Sequence, residues 1–170
     1  MKALKLLLIC ILLTTGNLVK SQNRTLPDVD IYTLDGKRVS ASDICKNNEP
    51  VILFFWKTTD IKSLDQLYMI NEEYENQLKW KNVKIIGICT DCPGTAQSIK
   101  PFVYGNDISL DIYVDQNNDL KRAMNVNETP YTILIDRRKN NYSMITGYCS
   151  NIVELINDKF DQRFATVTGK

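Results

Sequence analysis

Residues 29–39 alternate apolar and polar around Asp35-Gly36, the pattern of two half-buried strands joined by a tight turn. Residues 51–56 are apolar without a break, as a central strand covered on both faces requires. From Ile61 the period lengthens. Leu64, Leu67, Tyr68, Ile70, Tyr74 and Leu78 mark one face of a helix of about four to five turns. Residues 83–89 form a second buried strand, and strand, helix, strand at this spacing predicts a right-handed crossover between parallel strands. Beyond it the pattern gives a short helix over 95–102, an extended segment or short strand over 110–115, and another short helix over 119–125. A third core strand over 131–135, a fourth over 142–147 and a closing helix over 151–160 complete the series.

The predicted architecture is α/β: a central four-stranded mixed sheet flanked by helices, with a β-hairpin at its N-terminal side. One domain is expected over residues 22–163, with a loose tail over 164–170. Residues 1–21 have the layout of a signal peptide. Two lysines precede an apolar run over 6–13, and Val19-Lys20-Ser21 suits a peptidase cut before Gln22. That run is far shorter than the roughly 20 residues a spanning helix needs, so an exported chain, periplasmic or secreted, without a stable membrane anchor is expected. Cys10 lies within the run, but Ile9 is bulky where a lipoprotein peptidase needs a small residue.

Composition narrows the chemistry. The chain has no histidine, which removes Ser-His-Asp and Cys-His catalysis, imidazole proton shuttles and His-ligated zinc. Lys+Arg 21 against Asp+Glu 20 gives no field to gather nucleic acid, and no glycine-rich phosphate loop is present. Cys45, Cys89, Cys92 and Cys149 remain after the signal segment, an even number that permits disulfides in an exported protein. Asn23, Asn127 and Asn141 begin glycosylation sequons, at the frequency expected by chance in an asparagine-rich chain.

Two local motifs add to the order of elements. Phe55-Trp56 stands just before the first long helix, and Thr129-Pro130 leads into the third core strand. With the hairpin and the export segment, the chain resembles the thioredoxin-like superfamily, and within it the exported TlpA-type thiol-disulfide oxidoreductases. That resemblance implies a Cys-x-x-Cys opening the helix and a proline facing the sulfurs. The alignment forced by Phe55-Trp56 instead puts Asp60 and Ser63 at the two sulfur positions, and Gln66 where the family tends to carry a buried glutamate. A peroxidatic cysteine would likewise be expected in the turn 58–60, and none is there. Asp60 has the chemistry of a helix N-cap and cannot exchange disulfides.

The resemblance therefore implies a binding module without catalytic residues at the usual positions, holding an extended polypeptide or partner protein in a groove of Trp56, Thr59, Asp60, Thr129 and Pro130. Neither a cofactor nor a resident metal is expected. The alternative is an enzyme. Cys89-Thr-Asp-Cys92 is a Cys-x-x-Cys at the end of the second strand, and strand directions bring it to the same sheet edge as Asp60 and Pro130. There the more exposed thiol would attack a disulfide and the other would resolve it. Two thiolates make a poor zinc site, which wants four ligands, and copper(I) is a third reading of the pair. Lys57 beside this edge is read as a solvated lysine.

Overall fold

The computed structural model describes residues 26–45, 49–74, 76, 83–91, 96–136 and 142–164. The signal segment, Leu78, Trp80, Cys92, Asn23, Asn141 and the last six residues of the tail lie outside them. The strands are β1 (Asp30–Thr33), β2 (Arg38–Ser40), β3 (Val51–Trp56), β4 (Lys84–Cys89), β5 (Asp111–Val114), β6 (Tyr131–Ile135) and β7 (Tyr142–Thr146). The helices are α1 (Ile61–Glu73), α2 (Ala96–Gly105), α3 (Asp119–Ala123) and α4 (Ile152–Phe164), with a 3-10 turn at Ala41–Asp43.

These strands make one mixed sheet of seven, in the order β2-β1-β5-β4-β3-β6-β7, where the sequence pattern predicts four plus a separate hairpin. The difference has a physical cause. The segment 111–114 pairs in parallel with β4 on one side, and on its other side β1 adds to it antiparallel through Tyr32↔Val114 and Thr33↔Tyr113. The hairpin thus extends the sheet and covers what would otherwise be an open edge of unpaired backbone groups. Its turn is held by a bond from the Gly36 amide to the Thr33 carbonyl, and Gly36 has φ +80°, a left-handed conformation that a residue without Cβ adopts at low cost.

Alternation along each strand splits the core in two. Ile52, Phe54 and Trp56 of β3 face α1, α2 and α4 together with Ile85 and Cys89, while Leu53 and Phe55 face the 3-10 turn and α3 together with Ile86 and Ile88. Leu67 and Ile70 of α1 are fully buried, as the helical period predicts, but so are Ser63 and Gln66. The buried face of α1 is centred one residue away from the apolar stripe. Tyr68, expected inside, is exposed and donates to Asn106 Oδ1 at 3.1 Å. No helix among the described residues is long and apolar enough to cross a membrane.

Candidate functional site

Strand direction gathers the site. β3 and β4 run parallel with Trp56 opposite Cys89, and β6 runs antiparallel to β3 with Tyr131 opposite Phe55. The C-terminal ends of β3 and β4 and the start of β6 therefore share one edge, and α1 begins there.

Asp60 is the N-cap of α1. Its backbone is extended at φ −112° and ψ 108°, and its carboxylate accepts from the Lys62 amide at 3.1 Å. Ser63 Oγ donates to Asp60 Oδ2 at 2.6 Å, and Thr129 Oγ1 donates to the same oxygen at 3.4 Å, which ties the helix start to the residue before Pro130. The Thr129–Pro130 bond is cis. Partial burial pushes the Asp60 carboxyl up, but the Ser63 hydroxyl, the Lys62 and Ser63 amides and the Thr129 hydroxyl together hold it below its ordinary value. A carboxyl lowered by folding stabilises the fold above its ordinary value, and that share is lost as pH falls through the folded value. Asp60→Ala is expected to lower stability by about 0.5–2 kcal/mol near neutral pH, with the gap narrowing in acid as pH falls below the ordinary carboxylate range. Thermal unfolding near neutral pH and in acid checks this, and an undiminished gap in acid would assign the loss to packing.

Behind the cap lies a second carboxylate that the sequence pattern does not single out. Asp91 is buried just past β4 and accepts from the Thr58 amide at 3.2 Å on Oδ1 and 3.0 Å on Oδ2. Thr58 Oγ1 also donates to Oδ2, and the Cys89 thiol lies 3.6 Å from that oxygen. Asp91 therefore pins the turn between β3 and α1 to the end of β4.

The expected site residues fall into three groups. Thr59 is exposed, and Asp60 and Thr129 are half-buried, the first two where α1 starts and the third in the loop before β6. Pro130 is buried beneath them. Trp56, counted among the groove residues from the sequence, is instead fully buried on the helical face of the sheet, its ring 5.7 Å from that of Phe102. The cause is strand parity: Trp56 shares a face with Phe54 and Ile52, and Gly87 on the neighbouring strand leaves room for the indole.

Cys89 carries a free thiol that is also fully buried, and burial pushes the thiol well above its ordinary range, with the Asp91 charge adding to the rise against the pull of the Asp91 backbone amide. Cys89 is thus a poor attacking group, and Cys92, its expected partner, lies outside the described residues. Gln66, one turn below Ser63, accepts from the Cys149 amide at 2.8 Å through Oε1. Among the described residues no group of three or more His, Cys, Asp or Glu side chains is placed to hold a metal ion.

Known proteins share this framework. Thiol-disulfide oxidoreductase ResA of Bacillus cereus and its counterpart in Bacillus thuringiensis subsp. konkukian are each 27% identical to the chain over 111 residues. The match takes in 65% of this chain, and it spans 61% of the length of these curated relatives. A thioredoxin-like protein from Porphyromonas gingivalis superposes with a TM-score of 0.64 at 27% identity, covering 79% of this chain and 89% of that one. A secreted Mycobacterium tuberculosis disulfide oxidoreductase homologous to E. coli DsbE superposes with a TM-score of 0.60 at 15% identity, covering 82% and 96%, which is a likeness of fold. The model of the AhpC/TSA family matches residues 23–140, from before the hairpin to past β6. On that match and this fold, the chain belongs to the AhpC/TSA family and is thioredoxin-like in architecture.

Proposed function

We propose that this protein is an exported, thioredoxin-like binding module that holds extended polypeptide at the mouth formed by Thr59, Asp60 and Thr129, and does not catalyse disulfide exchange there. One observation carries the proposal. The N-terminus of α1, where a thioredoxin-like enzyme would keep its attacking sulfur, is closed by the Asp60 carboxylate bound to Ser63, Lys62 and Thr129. A helix N-terminus activates a thiol by favouring its anion; here a carboxylate already supplies that anion, and Ser63 takes the place of a resolving thiol. The pattern of residues 1–21 supports export.

The test uses a permanently unfolded probe that carries no thiol or disulfide, a reduced and carboxymethylated protein. Binding measured by fluorescence anisotropy is expected, weakened at least tenfold by Thr129→Arg, while insulin disulfide reduction stays at the uncatalysed rate. Absence of binding would end the proposal.

The rival reading is a thiol-disulfide oxidoreductase working through Cys89 and Cys92. Its support is the register, which puts Cys89 beside Trp56 at the mouth edge. Given the sealed Cys89 thiol, Cys92 would attack and Cys89 would resolve. Insulin reduction that disappears on Cys92→Ser would establish the rival and overturn the binding module.

A further inference from the structure

The two outer strands of the sheet, β2 and β7, are finished differently. β2 is three residues long, follows Lys37 and carries Arg38 in an ion pair with Asp30. Shortness and charge of this kind discourage other strands from pairing with an edge. β7 is five residues long, Tyr-Ser-Met-Ile-Thr, with no charged residue and no proline. Met144 on it is 45% exposed, and Thr146 is exposed as well.

Strand register decides which backbone groups of β7 are spare. The Gly147 amide donates to the Pro130 carbonyl at 2.9 Å, and antiparallel strands alternate between hydrogen-bonded and non-hydrogen-bonded pairs. Thr132↔Ile145 and Leu134↔Ser143 are therefore bonded pairs, whereas Tyr131↔Thr146 and Ile133↔Met144 are not. The N–H and C=O groups of Met144 and Thr146 point away from β6, and they have no partner among the described residues. Both side chains stand on the α3 face of the sheet, opposite Ile133 and Tyr131.

Topology narrows what can complete this edge. The chain's own continuation is ill placed. β7 points the same way as β3, and α4 covers the same face as α1, so a parallel strand added outside β7 after α4 would close a crossover of the opposite hand to β3-α1-β4. An occupant of the mouth is well placed. Thr129 stands just before β6, and with strands about 4.8 Å apart a strand added to β7 lies about 10 Å away, the reach of about three extended residues.

We propose that the polypeptide held at the Asp60 mouth continues along β7 as an added strand, its backbone bonded to Met144 and Thr146 and an apolar side chain set beside Met144. This rests on the binding reading given above. Backbone bonds give affinity for an extended segment of almost any sequence, and Met144 adds a preference for an apolar residue next to it.

Amide hydrogen exchange is followed by NMR on the full chain, alone and with reduced, carboxymethylated α-lactalbumin as the unfolded probe. The probe is expected to slow exchange at Met144 and Thr146 at least tenfold and to leave Ser143 and Ile145, already bonded to β6, as they were. Met144→Pro removes an outward donor and no bond to β6, a place where an edge strand tolerates proline. Met144→Lys keeps the backbone intact and puts a charge on the edge at an exposed position. Each is expected to weaken probe binding at least tenfold in fluorescence anisotropy, with the unfolding midpoint little changed for the lysine variant. Probe binding that Thr129→Arg weakens, while Met144 and Thr146 exchange as before, would overturn this inference and leave the binding module intact. Failure of the probe to bind at all would remove the binding module and the inference with it. Protection of Met144 and Thr146 without the probe would give the edge to a second copy, if it rises with protein concentration, or otherwise to this chain itself, and would overturn the proposal likewise.

Discussion

Trp56→Ala is expected to destabilise the protein by about 3–5 kcal/mol, the usual range for removing a fully buried aromatic side chain. The indole is wholly enclosed and packs on Phe102. It lies so close over β4 that a Cβ on Gly87 would come within 3.2 Å of Nε1, and would collide with Ile112 Cδ1 as well. Nothing small could move in to fill the gap, because the ring spans from β3 to α2 across the sheet's helical face. Trp56→Phe is expected to lose much less, since it keeps the aromatic packing and removes an indole N–H that has no acceptor among the described residues. Denaturant unfolding followed by circular dichroism separates the two variants. If Trp56→Ala left the midpoint in place while abolishing polypeptide binding, the indole would be a ligand contact and its burial would have to be abandoned.

Asp91→Ala should be nearly as damaging for a different reason. Truncation leaves the Thr58 amide and hydroxyl facing a buried space with no acceptor, and loss of hydrogen bonds to a charged group costs about 1.5–3 kcal/mol. The consequence is also local. With the turn released, Cys89 should react with thiol reagents faster than in the parent protein, where the closed turn and burial both protect it. Two measurements bear on this, the unfolding midpoint and the native-state alkylation rate of Cys89. A lowered midpoint with unchanged alkylation would mean that Asp91 stabilises the fold without guarding the thiol.

Where sequence and structure agree, the information was local. The all-apolar run 51–56, the Asp35-Gly36 turn, the helical period from Ile61 and the strand 131–135 each follow from side chains a few residues apart, and the fold class follows from their order. The features that escaped are contacts between distant segments. Asp91 reads as one more polar residue after a strand, and only the parallel pairing of β3 with β4 brings it under Thr58. Gln66 could be picked out by its position, yet its hold on Cys149 joins residues 83 apart in sequence. Trp56 was misplaced because a tryptophan at a strand end suits a surface or a core equally. A cue was available in Gly87, since a glycine inside an apolar strand marks a close approach by something large. The buried serine and glutamine of α1 shifted its inner face away from Tyr68, because an apolar stripe marks only those inward positions that are apolar.

The pairing of β1 with β5 also bears on the order in which the chain comes together. Tyr32 meets Val114, so a strand near the beginning of the chain is completed by one from its second half. Closing so long a loop costs entropy that nearby contacts do not, and pairings of this kind are slow to form. A chain emerging N-terminus first has its hairpin ready well before the strand that receives it. Ile31, completely enclosed in the finished molecule, must wait until then for its surroundings. The first strand in sequence thus gains its second neighbour only from Tyr113 and Val114, far along the chain, and the ion pair from Lys100 on α2 to Asp35 at the hairpin turn is a further tie between the hairpin and that later part.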